Sequence, residues 1–133
     1  MQGGRVFPNL TVQENFDLAA AEARYVGREP AQLGDWFSLL RDRSHDRAGL
    51  LSGGQRQMLA IELVLSQKPR LLLLDEPTAA LANELAIGIL KMIQYHAVKG
   101  RVAVLLVEQN AFLAQAISAR TLHVKHGTTG STP

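Results

Sequence analysis

Two short stretches, taken together, restrict this chain more than anything else in it: Leu51-Ser52-Gly53-Gly54-Gln55 and, one helix's length later, Leu71-Leu72-Leu73-Leu74-Asp75-Glu76-Pro77. The first reads as a loop that opens a helix. Ser52 and Gln55 have the Ser-x-x-Gln spacing of a capping box, and Gly53 and Gly54 leave the helix N-terminus uncovered by side chains. Such an end, with unpaired N–H groups and the positive end of the helix dipole, favours a phosphate, and paired glycines let the backbone approach one closely. The second stretch reads as a buried strand. Four consecutive leucines suit a strand covered on both faces, and Asp75-Glu76 then stand at its carboxyl end, where open α/β sheets place ligands.

Composition excludes more than it identifies. The 133 residues suffice for one domain or part of one, and the 47% hydrophobic and 20% charged content is that of an ordinary globular chain. No apolar run approaches the roughly 18 residues of a membrane span, so direct membrane insertion is not expected. Met1-Gln2-Gly3-Gly4-Arg5 lacks the order of a signal peptide, and the absence of cysteine excludes disulfides and thiolate metal sites, which fits a cytoplasmic location. The net charge is only +2, with 14 basic residues spread among 12 acidic ones and few aromatics, which argues against nucleic acid as a partner. Arg41-Asp42-Arg43-Ser44-His45-Asp46-Arg47 alternates in sign and reads as a solvated loop.

Periodicity orders the rest. Gln2 to Leu10 reads as extended and turn-rich, stopping at Pro8-Asn9. Thr11-Val12-Gln13-Glu14 is a second capping box, and the helix behind it carries Phe16, Leu18, Ala19, Ala23 and Val26 up to Gly27. A short helix over Asp35 to Arg41 is expected to bury Trp36, Phe37 and Leu40. Gly53 to about Gln67 is helical and closed by Lys68-Pro69. From Arg70 the pattern becomes strand (Leu71 to Asp75), helix (Glu84 to Lys99, stopping at Gly100) and strand (Val102 to Val107), a parallel βαβ unit. Glu108-Gln109-Asn110 then caps a helix over Ala111 to Ala119, and Thr121 to Val124 is a strand that turns at Gly127. The expected organisation is an N-terminal segment and α-helical subdomain over 1–68, an α/β part over 69–127, and a disordered tail over 128–133.

Leu51 to Gln55 resembles the signature motif of the ATPase subunits of ATP-binding-cassette (ABC) transporters, and Leu71 to Glu76 resembles their Walker B strand with its glutamate. The resemblance runs from Gln2 to about Gly127. It implies a partial P-loop NTPase (RecA-like) α/β core with parallel strands beside the α-helical signature subdomain, with ATP and Mg²⁺ as cofactors. It further implies that Asp75 holds Mg²⁺ through water, that Gln2, as the Q-loop glutamine, contacts Mg²⁺ and the attacking water, and that Glu76 polarises that water. Ser52, Gly53, Gly54 and Gln55 would face the γ-phosphate bound by an opposite subunit. The implied partners are a membrane permease and a second ABC ATPase subunit, identical or not, with the assembly peripheral at the inner face of the membrane.

Three departures from the family pattern carry information. There is no G-x-x-x-x-G-K-[ST], so the phosphate-cradling Walker A loop is absent from these residues, and the chain resembles the C-terminal two thirds of a subunit. Ala82 stands at the D-loop aspartate and Gln109 at the switch histidine. Val107-Glu108-Gln109-Asn110-Ala111, Arg5-Val6-Phe7-Pro8 and Met58-Leu59-Ala60-Ile61 together resemble the branched-chain amino-acid importer branch, where those two substitutions are usual. The implied function is a portion of an importer's ATP-binding subunit, inactive alone, serving uptake of branched-chain amino acids or a similar solute. The alternative is a truncated stand-alone module that binds an intact ABC ATPase without catalysis. A missing neighbour strand would leave an apolar edge around Leu71 to Leu74, which predicts self-association. Trp36 reads as core, His123-x-x-His126 lacks a third metal ligand, and Glu62, where similar sequences carry a small residue, is either exposed or paired with a base.

Overall fold

A computed structural model describes residues 6–25, 38–79, 81–117 and 120–132. Gln2, Trp36, Phe37 and the expected helix ends at Val26 and Ala119 lie outside the described residues. The chain forms helix α1 (Val12–Tyr25), helix α2 (Ser38–Asp42), a 3-10 turn (Ala48–Leu50) and helix α3 (Gly53–Ser66). Strand β1 (Leu71–Asp75), helix α4 (Asn83–Lys99), strand β2 (Ala103–Val107) and helix α5 (Ala111–Ile117) follow. The described chain closes with strands β3 (Thr121–Lys125) and β4 (Thr128–Thr132).

Both capping boxes form. Thr11 N–H donates to Glu14 Oε2 at 2.7 Å while Glu14 N–H donates to Thr11 Oγ1 at 3.1 Å, and Ser52 and Gln55 exchange the equivalent pair at 2.9 and 3.2 Å. On α1 the buried face is Val12, Asn15, Phe16, Ala19 and Ala23, while Leu18 points outward. Asn15 is buried because it is fully used: its Oδ1 accepts from Phe7 N–H at 2.8 Å and its Nδ2 donates to the carbonyls of Phe7 and Thr11. The loop over 41–47 is a brace as well as a charged surface. Its Asp46 and Ser44 carbonyls accept from the Val12 and Gln13 N–H groups that open α1.

The core joins α3, packed on α1 and α4, to one face of the β1–β2 pair. Leu59 and Ile89 are fully excluded from solvent, and truncating either to alanine would cost about 2–5 kcal/mol. At its end α3 turns through Lys68, whose φ of 48° is the left-handed C-terminal stop that a glycine more often supplies, and Pro69 prevents continuation. β1 and β2 run parallel with Leu71 opposite Ala103 and Asp75 opposite Val107, joined through α4, as the βαβ reading expects.

Two expectations fail. The leucine strand is covered on one face alone: Leu72 is 3% exposed, yet Leu71, Leu73, Leu105 and Val107 are each more than half exposed. Successive strand residues alternate sides, and the helices described against this sheet cover the Leu72 side. Residues 128–132 are also no disordered tail, since Thr128–Thr132 pairs antiparallel with Thr121–Lys125. His126 and Gly127, at φ 49° and 77°, make the two-residue turn whose twist suits a hairpin, and threonine favours the strand behind it.

Candidate functional site

The carboxyl ends of β1 and β2 lead into two loops that face each other. Glu76 follows β1 directly, and its N–H donates to the Val107 carbonyl at 2.9 Å, extending the ladder by one residue. Its φ of 47° turns the chain out of the strand, and buried Pro77 restricts the next step. From the other loop Gln109 Nε2 donates to Glu76 Oε1 at 2.5 Å. One residue earlier, Glu108 Oε2 accepts from the hydroxyl of buried Thr78, and Glu108 Oε1 accepts from the Asn110 N–H at 3.1 Å. Asn110 Oδ1 caps α5 through the Phe112 and Leu113 N–H groups.

Between these loops lies a cleft of about 320 Å³, lined by Glu76, Thr78, Leu81, Asn83, Gln109 and Leu113 among others. A carboxylate and a carboxamide within hydrogen-bond reach, on a solvent-open cleft at the carboxyl ends of parallel strands, can orient and polarise a water molecule. The structure thus brings Glu76 and Gln109 together, residues 33 positions apart. Asp75 lies next to them on the open side of β1, exposed. Gln2 lies outside the described residues.

Ser52, Gly53, Gly54 and Gln55 form a second locus at the start of α3, with Arg43 Nη1 donating to Gln55 Oε1 at 3.2 Å and Arg56 Nη1 to the Leu51 carbonyl. The two glycines differ. A Cβ at Gly53 would meet nothing within 4 Å, which keeps the helix end open to an anion, whereas one at Gly54 would lie 3.1 Å from both Leu81 and Leu85. Gly54 is therefore a packing glycine, and Leu81 touches this locus and the cleft alike. Glu62, farther along α3, is not exposed and, among the described residues, is not paired with a base. It is 3% exposed, its Oε1 has no hydrogen-bond partner among the described residues, and burial pushes its carboxyl up to about 7.

The contacts that Thr78, Glu108 and Arg43 make at these two loci are not found by sequence reasoning. The Thr78–Glu108 contact carries no local signature, because its two partners lie 30 residues apart in the chain.

Comparison with known proteins places these features in context. The family profile described as ABC transporter matches residues 1–79. The high-affinity branched-chain amino acid transport ATP-binding protein BraG of Pseudomonas aeruginosa is 38% identical over 131 residues, covering 95% of this chain and 54% of the relative. The probable branched-chain amino acid transport ATP-binding protein LivF of Archaeoglobus fulgidus is 42% identical over 120 residues, covering 88% and 50%. Among solved structures, the ATP binding subunit of an ABC transporter superposes with a TM-score of 0.75 at 22% identity, covering 98% of this chain and 57% of that one. A dimeric post-hydrolysis state of the ATP-binding cassette MJ0796 bound to ADP and Pi gives 0.71 at 21%, covering 98% and 60%. The chain spans about half the length of the curated relatives it matches.

Proposed function

The chain belongs to the ABC transporter family, and from that premise we propose that it is a portion of an ATP-binding subunit that couples ATP hydrolysis to uptake of branched-chain amino acids or a similar solute. The observation that carries the reading is the Glu76–Gln109 pair, held across two loops beside Asp75 at the carboxyl ends of parallel strands. Glu76 is the base that orients the attacking water, and Gln109 fixes the rotamer of its carboxylate. Gly53 and the first N–H groups of α3 meet the γ-phosphate held by an opposite subunit. Asp75, an exposed carboxylate at the carboxyl end of β1, would with Gln2 hold Mg²⁺ through water, and the bound ion would neutralise charge on the phosphate oxygens. A second ABC ATPase subunit and a membrane permease complete the working assembly, at the inner face of the membrane. Among the described residues no helix is long and apolar enough to cross a bilayer.

The 133 residues contain no G-x-x-x-x-G-K-[ST], so the chain by itself should not hydrolyse ATP. Grafted in place of the matching portion of the P. aeruginosa relative, it should support ATP hydrolysis that Glu76→Gln lowers by about 10²–10⁴-fold. Hydrolysis by the grafted protein that is indifferent to Glu76→Gln would refute the reading.

A further inference from the structure

The two members of the Glu76–Gln109 pair are held very differently. Glu76 is fixed by its own backbone: its N–H is bonded to Val107, its carbonyl accepts from Ala79 at 3.1 Å, and Pro77 follows. Gln109 is an exposed loop residue, and the fixed groups lie to either side of it. Glu108, immediately before it, spends one carboxylate oxygen on Thr78, two residues beyond Glu76, and the other on the backbone of Asn110, immediately after it. One carboxylate therefore ties the β1 loop to both flanks of Gln109. Thr78 is 6% exposed, so its hydroxyl is shielded from competing water.

We propose that Thr78 and Glu108 form a latch that sets the Gln109 carboxamide against Glu76, making Glu108 a positioning residue of the site. Without the latch, the loop over 108–110 keeps its attachment to β2 and α5 but loses its bond to the β1 loop, and Gln109 swings free of Glu76. Calling the latch catalytically useful rests on the proposed function, but its existence rests on geometry alone.

The test is ¹⁵N relaxation of the Gln109 side-chain amide in the 133-residue chain. In the wild type the amide should behave as an ordered group. Thr78→Val, which keeps the buried volume and removes the hydroxyl, should drop its order parameter below about 0.6, the range of flexible groups. Glu108→Ala should do the same, Thr78→Ser should retain the wild-type value, and amide protection in β1 and β2 should stay unchanged in all three. An ordered Gln109 amide in Thr78→Val overturns the latch, and so does a wild-type amide already disordered. Should Glu108→Ala fail to fold, the near-isosteric valine variant still decides. A failed functional reading would show separately, as hydrolysis by the grafted protein that ignores Glu76→Gln.

Discussion

The start of α3 and the mouth of the β1–β2 pair are both places where a phosphate-handling site would be sought, yet they are built by opposite means. At α3 the bonds that shape the turn are local: Ser52 and Gln55 satisfy each other within four residues, and Gly53 contributes by having no side chain. At the strand ends the bonds are long-range, Glu76 to Gln109 and Thr78 to Glu108, and they exist only because β1 and β2 lie side by side with Asp75 opposite Val107. A local cap can form early and survives changes elsewhere. A cross-loop pair depends on the whole βαβ unit, and every element that displaces one strand displaces the chemistry.

After Glu76→Gln, the largest expected effect tests the long-range side. Gln109→Ala in the grafted protein should lower the rate of hydrolysis by about tenfold or more at saturating ATP while leaving KM within a few-fold, since it removes a partner of Glu76 and no phosphate contact. An equal loss through KM alone would break the distinction between the two loci.

Next in size is the far end of α3, where tertiary burial overrides local wiring. Glu62 binds its proton more tightly in the folded chain, where its carboxyl is raised from 4.5 to about 7 by burial, than in the unfolded chain. The contribution of Glu62 to stability is therefore full below pH 4.5, falls as pH rises from 4.5 to about 7, and is level above that window. At about 1.4 kcal/mol per pKa unit the loss is bounded by roughly 3.5 kcal/mol. Half-buried His96, lowered by burial, acts in the other direction and loses stability as pH falls below about 6.5. The difference between wild type and Glu62→Gln isolates the carboxyl, and thermal melts from about pH 5 to 8 should show that difference changing with pH. A constant difference would mean that Glu62 ionises normally.

A smaller effect separates the adjacent glycines. Gly54→Ala must push back Leu81 and Leu85 and should destabilise by about 1 kcal/mol, whereas Gly53→Ala, with open space around the new methyl, should be neutral or stabilising by about 0.5 kcal/mol. Denaturant midpoints of the two variants should shift in opposite directions, and a shared sign would show that both glycines serve the same purpose. The smallest change is Ser52→Ala, which removes one capping acceptor at the start of α3 and should cost about 1 kcal/mol or less without altering the order of the Gln109 side chain.

Much of the molecule is legible in the order of its residues. The capping boxes at Thr11 and Ser52, the boundaries of α3 and α4, and the parallel strands all follow from spacing and periodicity, which act over a few residues. Four features are not legible there. Asn15 is absent from the apolar face read off α1 because its partners in 7–11 belong to a fold-back that local pattern does not encode. Glu62 reads as either of two ordinary cases because its burial comes from packing contributed by other elements. The strand over 128–132 is hidden behind a His-Gly turn outside the common turn dipeptides. The Leu71 to Leu74 run conceals its one open face, since a continuous apolar run does not say how many layers cover it.

What the sequence by itself determined is most of the elements, their order, and the residue types placed at two of their ends: Ser52 to Gln55 at the head of a helix, Asp75-Glu76 at the foot of a strand. Tertiary structure alone decided that Gln109 meets Glu76, that Thr78 and Glu108 tie their loops together, that Gly54 packs while Gly53 stays open, and that Glu62 is shut away from water. The division has a physical basis. Caps, helix stops and strand runs are set by backbone groups within a turn or two, whereas side-chain pairs 30 residues apart form only after β1 and β2 have aligned and the entropy of closing the chain between them has been met.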